Sequence, residues 1–524
     1  MLKGEKFVQK VIIIGAGPAG LTAAYQLSKK KEYNITILEE EEQVGGISKT
    51  IKHNENRMDI GGHRFFSKDE RIMRFWKELM PLQGKPSVDD KILKRNATLE
   101  KNGIDPEIED NVMLIRNRIS RIYYLRKFFD YPIKISITTF RNLGLITTIK
   151  AGFSYLKSII IKRSEDTLEN FYINRFGKVL YSMFFEKYTE KVWGRHPSQI
   201  SADWGRQRVK GISILSIIKD GFNKILGRKN NTNTQTSLIE QFWYPKFGPG
   251  QLWERLLEKV QENGVKIRTD CKVKSILKEN GKIKQLKCLI NGKEESIDGE
   301  IFISSMPLKD LVENISGDLV PKDILEIAKG LPYRDFITIG ILVDKLKIKN
   351  ETNIKTLGDI IPDCWIYVQE PDVKVGRIQI FNNWSPYLVK NPDKNIWIGL
   401  EYFCNEGDYL WNMTDEEFTN MAIEELEKIG IADKNSVKDT HVEKVKKAYP
   451  AYFDTYRKID DLIRYLNSIE NLYCIGRNGQ HRYNNMDHSM LTAIEAVDNI
   501  VSKKKDRSNI WKVNTEKEYH EINN

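Results

Sequence analysis

The chain is poor in cysteine and in long apolar runs, and each shortage excludes something. Its five cysteines, Cys271, Cys288, Cys364, Cys404 and Cys474, lie far apart in 524 residues with no CxxC pair. No histidine stands near one at ligand spacing, so neither a disulfide framework nor a zinc site is expected, and no metal is assigned. Such usage suits a reducing cytoplasm. The run VIII at 11–14 is too short for the apolar core of a secretory signal. The longest apolar stretch, Leu143 to Ile161, is interrupted by Lys150 and Lys157 and is not expected to span a membrane. Internal repeats are missing, as are a GxSxG elbow and any Cys–His pair at a motif. Acids are scarce in one region only. Between Ile115 and Arg163, eleven lysines and arginines face the single acid Asp130, a net of +10 (11 − 1) in a chain whose total is +11. The excess charge is therefore local and points to an anionic partner, a phosphorylated substrate or a lipid surface. No nucleic-acid-binding motif accompanies it, and no nucleic acid is expected as a partner.

The length suggests two or three domains. In VIIIGAGPAGLTAAYQLSKK, Gly15, Gly17 and Gly20 stand between a strand and a helix. Gly15 permits the tight turn, Gly17 lets backbone approach a pyrophosphate, and Gly20 lets the helix pack on the strand. The helix N-terminus would then face the phosphates. A second strand, NITILE, ends in Glu39, nineteen residues after Gly20, where an acid can bind ribose hydroxyls. Glu40 to Glu42 read as a solvated face. Gly45 and Gly46 follow, and then MDIGGHRFF, which reads as a strand. Downstream, VKIRTDCKVKSILKENGKIKQLKCLI reads as alternating strands about the turn at 279–281, and EIFISSMPL as a buried strand. NLYCIGRNGQHRYNNMDHSMLTAIEAVDNI reads as strand, glycine turn and helix.

The order GxGxxG, acid, GG resembles the glutathione-reductase-type FAD fold. Amine oxidases, protoporphyrinogen oxidases, phytoene desaturases and UDP-galactopyranose mutases share that fold. The resemblance implies FAD and a discontinuous cofactor domain, with the last helix starting near the flavin at Met486. Four segments narrow it. YTEKVWGR at 188–195, GGHRFFS, YVQEPDVKVGRIQIF and IGRNGQHRYNNMDH resemble segments of the UDP-galactopyranose mutases in the same order, together with the pair Tyr449-Pro450. Membership in that family would imply that reduced flavin N5 attacks the anomeric carbon of a nucleotide sugar and expels the diphosphate. The sugar would then reclose with the other ring size, without net redox, in the supply of surface polysaccharide precursors. The resemblance places Arg377, Tyr449 and Tyr483 at the diphosphate and Trp193 in the sugar-nucleotide pocket. Arg334 matches an arginine of the substrate cleft, while Gly62, His63 and Arg477 match residues beside the isoalloxazine. His63, Arg377 and Arg477 are the catalytic candidates. An arginine suits a diphosphate that gains charge as it leaves, because its planar fork binds oxygens in pairs. Each residue also has an ordinary reading: a core tryptophan, half-buried tyrosines, a structural histidine, an exposed strand arginine.

Three departures stand out. The stretch after WGR is longer than in the bacterial mutases, so Arg206, Arg208 and Lys210 compete for the role of a lid arginine, and 228–237 reads as a mobile loop. Asn485 and Phe66 replace an acid and a histidine, which leaves the sugar open. The basic stretch interleaves cations with aromatic and aliphatic residues, as in RNRISRIYYLRKFFDY. It reads as a helical substrate domain with cations around the cleft or, alternatively, as peripheral contact with an anionic inner membrane face. The expected architecture is an α/β protein of discontinuous parts. Residues 1–80, 242–312 and 468–503 would form an FAD-binding Rossmann domain. A helical insertion is expected over 81–241 and a mixed sheet over 313–467, with a loosely attached polar tail from 504. Two rivals remain: an FAD oxidase of the protoporphyrinogen or amine oxidase kind acting on a hydrophobic substrate, and a binding module that holds a sugar nucleotide without turnover.

Overall fold

Strands such as VIII and IFI are apolar on both sides, as a sheet covered on both faces requires. In the computed structural model, which describes residues 8–131, 137–202, 205 and 241–513, they lie in one five-stranded parallel sheet. Its order is Leu472–Cys474, Ile301–Ser304, Gln9–Ile14, Tyr33–Leu38, Lys266–Arg268. The two-residue alternation of a strand divides its side chains between two layers. Val11 and Ile13 pack with the helices Pro18–Ser28, Pro249–Glu262 and Met486–Val501. Ile12 and Ile14 pack with Ile276 and Leu286 of a four-stranded sheet on the other face. The hairpin of that second sheet turns at Asn280 and Gly281, with φ 52° and 73°. MDIGGHRFF behaves differently from its reading as a strand: the strand Asn56–Asp59 stops before Gly61, whose φ of 82° breaks the extension. All five cysteines are free and buried.

A seven-stranded sheet follows the order Val437–Pro450, Tyr333–Val343, Ile396–Cys404, Arg377–Ile380, Trp365–Val368, Ser120–Tyr124, Lys127–Asp130. Ile337, Ile339, Ile398 and Leu400 share one face with Phe418 and Leu426 of the helix Asp415–Lys428. A capping box of Thr414 and Glu417 fixes that helix's start. On the opposite face Phe336 and Phe403 pack with the helices Leu168–Tyr181 and Lys187–Trp193.

Among its described residues, the stretch 81–241 is less helical than its expected role. Ser120–Tyr124 and Lys127–Asp130 form a hairpin that extends this sheet. Its two turn residues, Leu125 and Arg126, sit at φ 53° and 56°, the sign a two-residue type I′ loop needs. Met113–Asn117 pairs with Gln241–Pro245. The described helical part includes Val88–Leu93, Ile137–Leu143, Leu145–Ile160, Leu168–Tyr181, a π-helical turn Ser182–Glu186 and Lys187–Trp193. The tail from 504 is anchored at its start. Within Ser508–Lys512, Ile510 and Trp511 are buried, and Trp511 Nε1 donates to Asn467 at 3.0 Å. Arg206, Arg208, Lys210 and 228–237 lie outside the described residues. Among the described residues no helix is long and apolar enough to cross a membrane, and no cluster of metal-ligating side chains occurs.

Candidate functional site

After Gln9–Ile14 the chain turns at Gly15, φ 98°, where a side chain would collide with Ser305. A Cβ on Gly20 would fall on the Gly15 carbonyl oxygen, so only glycine lets the helix Pro18–Ser28 come this close. Gly17 is that helix's N-cap. The buried Glu39 carboxylate accepts the N–H of Ala16 at 2.6 Å and of Glu41 at 3.1 Å. Burial raises its pKa despite these bonds. Gly45 N–H donates to Ala16 O at 2.9 Å and ties the second glycine pair to the first turn. Gly15, Gly17, Glu39 and Gly46 line one end of a cavity of about 1890 Å³, while Gly20 and Gly45 stay behind the lining. Ligand pockets usually measure roughly 300–1,000 Å³, so this one has room for a dinucleotide and a second ligand.

Further along the same cavity stand Gly62, His63, Arg477 and Met486. A side chain on Gly62 would overlap Trp365. His63 Nδ1 lies 3.0 Å from the Gly61 carbonyl, which can only accept. Nδ1 therefore carries the proton and Nε2 is an acceptor. Desolvation, and then the Arg477 charge, lower the His63 pKa to about 4. Arg477 donates to Ala448 O at 2.9 Å and Asn484 O at 3.0 Å, and its guanidinium lies 4.4 Å from the Tyr483 ring centroid. Met486 opens the helix Met486–Val501, with Asn485 as N-cap.

The third group comes from a row of opposite residues across the large sheet, Tyr367, Arg377 and Glu401. Arg377 Nε donates to Tyr188 Oη at 3.1 Å, and Nη1 donates to Tyr449 Oη at 3.2 Å and Glu401 Oε2 at 3.3 Å. Glu401 is fully buried, and Gln379 donates to its other oxygen at 3.2 Å. Burial raises the Glu401 pKa, and Arg377 works against that rise. Tyr449 and Tyr483 stack with centroids 5.7 Å apart, and Trp193 meets them edge-on at 6.5 and 6.4 Å. Trp193 ends its helix ahead of Gly194, which takes the left-handed cap at φ 65°. The π-helical turn before that helix adds Phe184 and Phe185 to the cavity wall.

Tyr188 and Glu401 were not singled out from the sequence. Glu401 carries a signal, a lone acid in the otherwise apolar IWIGLEYFC, and Tyr188 stands inside YTEKVWGR itself. Arg334 departs from its expected place in the cleft. It is buried away from the cavity lining, with Nε donating to Val192 O at 3.1 Å and Nη2 to Phe403 O at 3.2 Å. Its cation is used to fasten the end of the Trp193 helix to the sheet.

Comparison with known proteins agrees with this architecture. The NAD(P)-binding Rossmann-like domain family matches residues 13–79. Among curated proteins, the flavin-containing amine oxidase A of Equus caballus is 34% identical over 85 residues, 16% of this chain and 16% of its own. The L-amino-acid oxidase of Siganus canaliculatus is 33% identical over 103 residues, 18% of this chain and 19% of its own. The chain thus matches less than a fifth of the length of these relatives. Two solved structures superpose almost end to end. A reduced UDP-galactopyranose mutase does so with TM-score 0.74 at 20% identity, covering 96% of this chain and 97% of its own. A putative protoporphyrinogen oxidase from Exiguobacterium sp. 255-15 does so with TM-score 0.65 at 15% identity, covering 95% and 99%. The fold is that of flavin-dependent enzymes. FAD fits the cavity: a side-chain-free turn at Gly15, an acid beyond the second strand, and continuous space from there to His63 and Arg477.

Proposed function

We propose that the protein is a flavin-dependent mutase that interconverts pyranose and furanose forms of a nucleotide sugar, UDP-galactose-like, without net redox. The observation that carries this reading is the Arg377 cluster. A guanidinium surrounded by the Tyr188 and Tyr449 hydroxyls, in the wall of a cavity that also holds the dinucleotide motif, suits a diphosphate. Its fixed donors would favour the diphosphate most as it leaves and its charge grows. Tyr483 would add a further phenol, and Trp193 would hold the sugar nucleotide against the Tyr449–Tyr483 stack. Gly15, Gly17, Gly46 and Glu39 would hold the FAD phosphates and ribose; Gly62, His63, Arg477 and Met486 would meet its ring system. Bound FAD, in its reduced form, supplies a nucleophilic N5. Neutral His63 can accept a hydrogen bond at Nε2, and Arg477 keeps a positive charge nearby.

The second reading is an oxidase of amines or of a hydrophobic substrate, which the amine oxidase likeness over 85 residues favours. One experiment separates them. The protein is reduced without oxygen, offered a panel of nucleotide sugars, treated with cyanoborohydride, and its flavin is weighed. Flavin heavier by one sugar is the expected result. Unmodified flavin across the panel, with oxygen uptake on an amine or porphyrinogen, would establish the oxidase instead.

A further inference from the structure

The helix Leu145–Ile160 is built inside out. A surface helix of a water-soluble protein turns its large apolar residues inward and its polar ones outward. Here the inner face, packed on the helix Leu168–Tyr181, is made of small residues apart from the partly buried Tyr155: Ala151 and Ser158 are buried, and Gly177 opposite leaves no room for a Cβ against the Tyr155 backbone. The outer face carries the large ones. Leu145, Ile146, Ile149, Phe153, Leu156 and Ile160 are 76%, 71%, 49%, 69%, 55% and 82% exposed. At about 100° per residue they form one stripe, with Lys150 and Lys157 along one border. Both lysines are exposed, and among the described residues neither has an acidic partner. From Tyr131 through Ser164 the sequence contains no acid at all, and Arg141, Lys162 and Arg163 lie exposed at the ends of the stripe.

We infer that this helix docks in the plane of an anionic lipid surface, its apolar stripe among the acyl chains and its lysines at the phosphates. The charge argues for lipid over a second copy of the chain, since an apposed copy would bring the same unbalanced cations together. The span suits an interfacial helix, about 24 Å long and too short and too basic to cross. The helix on which it packs contributes Tyr172, Phe176 and Leu180 to the cavity wall, so docking would hold the cavity one helix away from the membrane. This inference does not depend on which reaction the cavity supports.

The test is flotation of the full chain with vesicles of phosphatidylcholine alone and of phosphatidylcholine with phosphatidylglycerol. We expect the protein to float with the anionic vesicles, to do so less as salt is raised, and to bind the neutral ones weakly. Lys150→Gln and Lys157→Gln should each weaken partitioning about five-fold. Phe153→Glu with Leu156→Glu should abolish it while leaving the melting temperature unchanged, because both side chains are exposed. Protein that stays at the bottom with both vesicle types overturns the proposal. So does a dimer in sedimentation that Phe153→Glu dissociates, without vesicle binding by the wild type, since a second copy would then cover the stripe.

Discussion

Arg377 and Glu401 are each other's support, and truncating one exposes what it does for the other. Arg377→Ala leaves a buried carboxylate without its cation, a loss of about 3–5 kcal/mol. Glu401→Gln, which keeps the shape and removes the charge, should destabilise less; urea denaturation of the two variants compares them. Arg377→Lys keeps the charge but not the planar fork, and under the proposed function should lower kcat/KM on the nucleotide sugar about 10–100-fold. The pH dependence of stability follows from two other buried groups. His481, fully buried with Nε2 at 3.0 Å from Ala451 O, has its pKa lowered by burial from 6.5 to about 4. The unfolded chain binds that proton first, so this contribution is full above 6.5 and falls as pH falls towards 4. Asp59 runs the other way. Burial raises its pKa from 3.8 to about 7, so its contribution is full below 3.8 and is lost as pH rises to 7. Asp59→Asn should therefore steepen the rise of stability between pH 4 and 6.5 by about one proton, measurable as urea midpoints across that range. At this scale Arg377 was legible because an arginine in VGRIQIF matched a known segment. Glu401 was not, because its meaning comes from a partner strand twenty-four residues away in sequence.

Elements are joined here by short left-handed residues that fix where a helix ends. Gly194 closes the Trp193 helix at φ 65°, and a Cβ there would stand 2.9 Å from the Arg334 guanidinium carbon. Gly194→Ala should cost about 1–2 kcal/mol, shift Trp193, and raise KM more than it lowers kcat; thermal unfolding and steady-state kinetics read both effects. The strand–turn–helix of the dinucleotide motif was legible because period and glycine spacing agree over contiguous residues. The hairpin Ser120–Tyr124 to Lys127–Asp130 was hidden within a basic stretch read as helical. Its alternation is brief, its turn uses Leu125 and Arg126 instead of glycine, and its partner strand Trp365–Val368 is far along the chain.

For the whole molecule, the end of the described chain closes the fold. The segment after Ser502 looks polar, yet Arg507 donates to Ile469 O at 2.8 Å and Trp511 packs among Leu462, Leu466 and Leu472. Ending the chain at Ser502 should cost about 3–5 kcal/mol, seen as a lower melting temperature. One tryptophan in a charged tail gives no periodic signal, so composition alone suggested loose attachment. The general plan, parallel sheet with mixed sheet beside it, was legible through the family resemblance because glycine-rich turns recur at each return to the cofactor layer. The five buried cysteines carry a consequence of their own. Cys474 stands in the parallel sheet, Cys288 in the four-stranded sheet and Cys404 in the large sheet, all away from the cavity, whereas Cys271 and Cys364 line its wall. A thiol reagent added to the folded protein should therefore spare these three, and the order in which Cys474, Cys288 and Cys404 become reactive in rising denaturant would time the opening of each layer separately.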